Sequence, residues 1–206
     1  MDAQEHLAAL LATLAGQCAP ADLRLYTLST PEGPLGLLAR LPHQRATADP
    51  RSSAASRPIL ASLRVEIERR QQAGLASGSG EPELALVIDE LSSLSGEPDL
   101  AYLLTHGREC GLRVLAATAD AAAERGPLVE SFESRIVFGL ADEEASTRLL
   151  GNDAAETLLG AGHLFARLGR RKEVEVLGLH LTEAGRRELF AAMGVDESPS
   201  SAPWGH

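Results

Sequence analysis

Apolar positions along this chain repeat with two periods, and the switches between them mark out the elements. Leu7, Leu10, Leu11 and Leu14 fall at helical spacing between His6 and Gly16, where the glycine supplies a terminator. Leu23 to Leu28 reads as a strand, broken by the loop residues Ser29 to Pro34. A second helix is expected after Pro58, through Ile59, Leu60, Leu63, Val65 and Ile67 to Gln72, and the small, glycine-rich stretch Gly74 to Pro82 is expected to be a flexible connection. The unbroken apolar run Leu84 to Ile88 fits a central strand buried on both faces.

Downstream, Pro98 to Cys110 reads as a helix, and Leu112 to Thr118 and Arg135 to Leu140 as strands. Ala141 to Leu150 and Asn152 to Leu159 read as short helices ended by Gly160 to Gly162. His163 to Arg167 and Val174 to Leu179 would pair as a hairpin, and a last helix starts at Thr182 with Leu189, Phe190 and Met193 on its apolar face. Strands alternating with helices give an α/β fold with a mostly parallel sheet, one domain over residues 1–195. The polar residues 196–206 bury too little surface to order themselves and are expected to form a disordered tail.

Composition narrows the functional classes. With 206 residues and 44% hydrophobic positions, the chain supports one sizeable core. No apolar run approaches a membrane span and the start is acidic, so neither membrane insertion nor a signal peptide is expected, and the location reads as cytoplasmic. The net charge of −10 argues against a surface built mainly for nucleic acid. Nearly all cationic charge is arginine, and pairs such as Arg69-Arg70 read either as a solvated face or as bidentate anion contacts. Cys18 and Cys110 stand alone, and the six histidines lack ligand spacing. Ser92 and Ser93 have no catalytic histidine at a recognisable position.

Candidate chemistry gathers at the end of the Leu84 to Ile88 run. Asp89 and Glu90 follow it, and open parallel sheets bind ligands at the carboxyl ends of their strands. In a nucleotide triphosphatase the first acid holds Mg²⁺, usually through water, while the second orients attacking water. Thr118, ending the next strand, is a candidate sensor of the γ-phosphate; the structural alternatives are an acidic loop entrance and a helix-capping threonine. A Walker A loop would need a glycine-rich turn closing on Lys and then Ser or Thr, so that backbone N–H groups and an ammonium surround the phosphates. The only lysine is Lys172, far downstream.

The order of several segments resembles the motor domain of the FtsK/SpoIIIE family, DNA-pumping ATPases related to the EccC motors of type VII secretion. Pro20 to Tyr26 is similar to the family's strand after the P-loop helix, Leu41-Pro42-His43 to its Leu/Ile-Pro-His turn, and Glu66 to Arg70 to its Glu-Met-Glu-Arg-Arg helix end. Val87 to Leu91 resembles its Walker B, followed by Gly107 to Thr118, Ser134 to Phe138 with Leu149-Leu150-Gly151, and Ala155 to Phe165. Together these cover roughly residues 5 to 192. The chain departs where the family's Ile-Asp-Pro-Lys reads Leu28-Ser29-Thr30-Pro31, where Gln-Arg-Pro reads Ala119-Asp120-Ala121, and where Gly-x-Gly-Asp reads Gly160-Ala161-Gly162-His163.

The resemblance implies a RecA-like P-loop NTPase core, here truncated before the first strand and P-loop, because the helix His6 to Gly16 matches the one that follows that loop. The strand Leu84 to Ile88 would then lose a sheet neighbour, leaving an edge open to another polypeptide. By the same resemblance, ATP and Mg are the cofactors, unless neither is retained. Asp89 would bind metal and cofactor, Glu90 and Thr118 would serve catalysis, and Arg135 would face a neighbouring subunit's nucleotide. Partners would be motor subunits or a homo-oligomeric ring. DNA is implied by the family alone, with Arg167 to Lys172 the densest cationic stretch and a solvated turn its plain alternative. Three functional readings stay open: an ATPase-derived domain deficient alone, a non-catalytic pseudo-ATPase module binding a motor subunit or secretion substrate, and a fragment of a full-length translocase.

Overall fold

The Leu84 to Ile88 run sits at the middle of a parallel sheet. In the computed structural model, which describes residues 3–118, 127–140, 143–158, 162–169, 171–178 and 182–194, four strands are β1 (Leu23–Leu28), β2 (Gln44–Ala48), β3 (Glu83–Ile88) and β4 (Leu112–Ala116). They lie in the order β2-β1-β3-β4, all parallel, with Leu28, Ile88 and Ala116 aligned across the last three. Alternation along β3 divides its side chains between two cores. Leu84, Leu86 and Ile88 face α2 (Ser53–Gln72) and α3 (Pro98–His106), while Ala85 and Val87 join the cluster built with α1 (Ala3–Gln17) and Phe190 of α6 (Glu183–Ala192).

A second, antiparallel sheet contains β5 (Arg135–Phe138), β6 (His163–Arg167) and β7 (Val174–Leu177) in that order. One of its faces, with Val137 and Phe165, packs on Leu150 of α5 (Glu143–Leu150) and on Ala155 in the 3-10 turn Ala154–Thr157. The short helix α4 (Pro127–Glu130) precedes β5. The α/β class with a mostly parallel central sheet, expected from the sequence, is the observed one.

Several boundaries differ, each for a physical reason. The strand β3 keeps a neighbour on both sides; among the described residues the edges of the four-stranded sheet are β2 and β4. Helix α2 begins at Ser53, so Pro58 lies inside it, on an exposed face where water can satisfy the carbonyl one turn earlier. β2 escaped the hydrophobic reading because Gln44, Arg45 and Thr47 give it no apolar period. The helix expected to Cys110 stops at His106 and tightens into the 3-10 turn Arg108–Cys110 before Gly111, whose φ of 81° is left-handed. The second of the two short helices expected after Leu140 is only the turn Ala154–Thr157.

The Gly74 to Pro82 connection is pinned rather than loose. Ser77 N–H donates to Glu109 O at 2.8 Å, its hydroxyl donates to Glu83 Oε1 at 2.7 Å, and Arg70 holds Pro82 O at 2.8 Å. Arg70 is 2% exposed, which overturns the solvated-face reading for this arginine, whereas Arg69 is half exposed as that reading expects. The 196–206 tail lies outside the described residues.

Candidate functional site

Parallel register brings the carboxyl ends of β1, β3 and β4 into one line. Asp89 N–H donates to Leu28 O at 2.9 Å and Ala117 N–H to Ile88 O at 2.9 Å, so Ser29, Asp89 and Ala117 leave three adjacent strands at the same level, with Glu90 and Thr118 one residue beyond. Asp89 is only 2% exposed. Glu90 begins the 3-10 turn Leu91–Leu94 in extended conformation, and its carboxylate accepts from Thr118 Oγ1 at 2.7 Å and Ser92 Oγ at 2.9 Å. The sequence-named trio Asp89, Glu90 and Thr118 is therefore one contiguous site.

The loop after β1 closes over it. Gly33 comes so near that a β-carbon there would lie 2.8 Å from Thr30 Oγ1 and 3.4 Å from Asp89 Oδ2. Ser29 is wholly buried and its hydroxyl has no hydrogen-bond partner. A buried orphan hydroxyl costs roughly 1–3 kcal/mol, which a folded chain keeps when the group serves a site. Ser29, Gly33 and the clamp by Ser92 were missed in sequence, although the pairing of β1 with β3 places Ser29 beside Asp89 as soon as the register is known.

The donors at this edge are carboxylate and hydroxyl oxygens, the hard set that suits Mg²⁺ held largely through water. Among the described residues no group of three or more His, Cys, Asp or Glu could enclose a metal, so Asp89 would be an anchor rather than part of a cage. Nucleotide phosphates fit less well. The 206 residues include no glycine-rich turn ending in Lys and Ser or Thr, and Lys172 lies just before β7 in the other sheet.

Arg135 stands apart from the trio. Its guanidinium donates to Leu149 O at 2.9 Å and Phe132 O at 3.1 Å, while Arg167 donates to Leu150 O at 3.2 Å. Two cations thus meet the carbonyl end of α5, where the helix dipole favours positive charge. Burial first, then the Arg167 charge, pulls Arg135 below the ordinary arginine value. In the cationic stretch, Arg167 is engaged in this way, Arg171 and Lys172 are exposed, and Arg170 lies outside the described residues.

No family model matches the sequence, and no curated protein matches it. Solved structures do. The fold is similar to ATPases 2 and 3 of EssC from Geobacillus thermodenitrificans, with TM-score 0.75 and 16% identity over 94% of this chain and 42% of that one. It is similar to ATPases 2 and 3 of EccC from Thermomonospora curvata in complex with a signal sequence peptide, with TM-score 0.71 and 18% identity over 93% and 40% of the two chains. The pCW3 conjugation coupling protein TcpA, solved with ATPγS, gives TM-score 0.65 and 16% identity over 92% and 62%.

The chain has the fold of these motor domains. It spans less than two thirds of each of the three chains. The RecA-like fold agrees with the FtsK/SpoIIIE resemblance, and Asp89 and Glu90 stand at the carboxyl edge of the central strand. Among the described residues, no helix is long and apolar enough to cross a membrane.

Proposed function

We propose that this chain is an ATPase-derived domain of FtsK/SpoIIIE type, related to motors that move DNA or protein, and deficient in hydrolysis alone. The supporting observation is the buried Asp89 beside Glu90 at the carboxyl edge of β3, with Glu90 held by Thr118. On this reading Asp89 and Glu90 are a Walker B pair: Asp89 anchors Mg²⁺ through water, and Glu90, positioned by Thr118 and Ser92, is the group that would orient a water. ATP, when bound, would supply the phosphoryl group whose transfer drives such motors. Positioning and charge neutralisation provide most of phosphoryl-transfer catalysis, and the 206 residues contain no Walker A loop to provide them. The reading therefore gives the isolated chain no turnover. Phosphate release with Mg-ATP should stay at background; Mg-dependent activity abolished by Glu90→Gln would overturn the deficiency.

A second reading, a non-catalytic module that docks on an intact motor subunit or a secretion substrate, is favoured by one surface. Ile136, Val174 and Val176 are exposed on the face of the antiparallel sheet opposite α5. The similar EccC domains were solved with a signal sequence peptide. On this reading the chain sediments with an intact motor and changes its ATPase rate. Sedimentation as separate species with an unchanged rate would rule out docking on that motor.

A further inference from the structure

Residues 30–33 lie over the acidic site as a short cover between two fixed points. Just before them, Ser29 donates its N–H to Ala48 O at 2.9 Å. Just after them begins the 3-10 helix Pro34–Arg40, whose Leu35 and Leu38 are buried in the cluster that holds Leu7 and Leu11 of α1. Between these anchors Pro31 and Glu32 are exposed. Gly33 N–H donates to Thr30 O at 3.1 Å, which folds the cover on itself, and Gly36 N–H donates to Gly33 O at 2.9 Å, which ties it to the helix. Pro31 fixes one φ, so the cover is stiff as well as short.

Two glycines set how closely it seats. Neither has a positive φ, so what matters at each is space for close approach. A β-carbon on Gly36 would run into the backbone carbonyl of Pro31, so Pro31 rests directly on Gly36. A β-carbon on Gly33 would lie 3.4 Å from Asp89 Oδ2, in ordinary van der Waals contact, so the space between cover and carboxylate takes a methyl group and little more. Mg²⁺ gives up water reluctantly and stays largely hydrated beside a single carboxylate. Such an ion does not fit between Gly33 and Oδ2, and with Asp89 only 2% exposed, solvent scarcely reaches the carboxylate from elsewhere.

We propose that residues 30–33 are a movable cover, latched where Pro31 seats on Gly36, which must lift before a hydrated divalent cation reaches Asp89. Two features keep the closed arrangement shallow. It strands the buried Ser29 hydroxyl beside Asp89 without a hydrogen-bond partner, and water admitted under a lifted cover would satisfy that group. Lifting also exposes no large apolar side chain, because Leu35 and Leu38 stay in the core. The inference rests on the reading that Asp89 anchors the cation, and adds what controls access to it. A site that is mostly covered binds more weakly in proportion to its open fraction.

The test uses the full chain with Mn²⁺ alone as the probe, its binding read by water-proton relaxation, and hydrogen exchange read at the Gly33 and Gly36 amides. In the wild type both amides should exchange by local opening, faster than those of β3, and saturating Mn²⁺ should speed them further. Gly36→Ala unseats Pro31 and should tighten Mn²⁺ binding at least about tenfold. Asp89→Asn in that background should abolish the gain. Amides at Gly33 and Gly36 that exchange only by global unfolding, or that Mn²⁺ leaves unchanged, overturn the cover, and this wild-type measurement decides the matter even if Gly36→Ala fails to fold. A folded Gly36→Ala that binds Mn²⁺ no more tightly also overturns it, while Asp89 stands as the anchor if Asp89→Asn lowers the affinity of the wild type. A gain that survives Asp89→Asn refutes the anchor, and the inference falls with it.

Discussion

Replacing Arg70 should cost more than any other single arginine change in the parallel-sheet half. The side chain leaves the last turn of α2, is 2% exposed, and donates to Glu66 Oε1 at 2.8 Å, Cys110 O at 2.9 Å and Pro82 O at 2.8 Å. It thereby joins the end of α2 to the entrances of β3 and β4. In Arg70→Ala, Glu66 keeps its two bonds from Arg69, at 2.7 and 2.8 Å, so no uncompensated carboxylate remains. The loss is two carbonyls stripped of a charged donor, about 1 kcal/mol each or more, plus a void worth about 1–2 kcal/mol. The total is about 3–4 kcal/mol, which in a chain of this size lowers the melting midpoint by about 10 °C. Arg70→Lys should recover only part, because an ammonium lacks the planar fork that meets divergent acceptors. Urea titration of the three proteins measures this directly. A loss below about 1 kcal/mol in Arg70→Ala would refute the clamp.

Acid stability should be sensitive to Glu66, whose carboxyl is held down to about 2 from 4.5, first by hydrogen bonding to Arg69 and then to Arg70. A depressed carboxyl stabilises above its unfolded value and loses that contribution as pH falls through the window from about 4.5 to about 2. Because about a quarter of the side chain is exposed, screening trims the effect to about 1–2 kcal/mol, and Glu66→Gln should flatten that limb of the pH–stability curve. Gly111→Ala puts a β-carbon 3.1 Å from Arg70 Nη1 at a φ of 81°, and should cost about 1–2 kcal/mol in chemical denaturation. Thr118→Val removes the 2.7 Å bond to Glu90 and should lower the unfolding free energy from urea titration by about 0.5–1.5 kcal/mol; no change would mean that Thr118 does not position this acid.

The parallel core was readable because its strands are apolar on both faces and its helices carry a period near 3.6. Leu84 to Ile88 declared itself by continuity, and Asp89 and Glu90 by following it. What stayed hidden depends on partners distant in sequence. β2 is a strand because β1 lies beside it, since Gln44 and Arg45 carry no apolar signal. Arg70 resembles any arginine pair until the carbonyls of Pro82 and Cys110 converge on it. The bonds of Arg135 to the carbonyl end of α5 join residues 14 apart, which no local pattern reveals. Sheet order, which puts β2 and β4 at the edges, likewise rests on pairing between strands distant in sequence.

The segments that match the family and those that depart from it do different physical work. Among the matches, His43 is 2% exposed with Nε2 2.9 Å from Cys18 O, Arg70 is the buried clamp, and Gly111 is the left-handed turn against that clamp. Each of these three holds an element in place, while the matched residues Asp89, Glu90 and Thr118 stand at the carboxyl edge of the sheet. The departure at Ser29 to Pro31 lies on the same edge, where the Ser29 hydroxyl is buried without a hydrogen-bond partner beside Asp89. The comparisons carry the architecture, while the proposed activity rests on Asp89, Glu90 and Thr118, which the carboxyl edge of the sheet brings together.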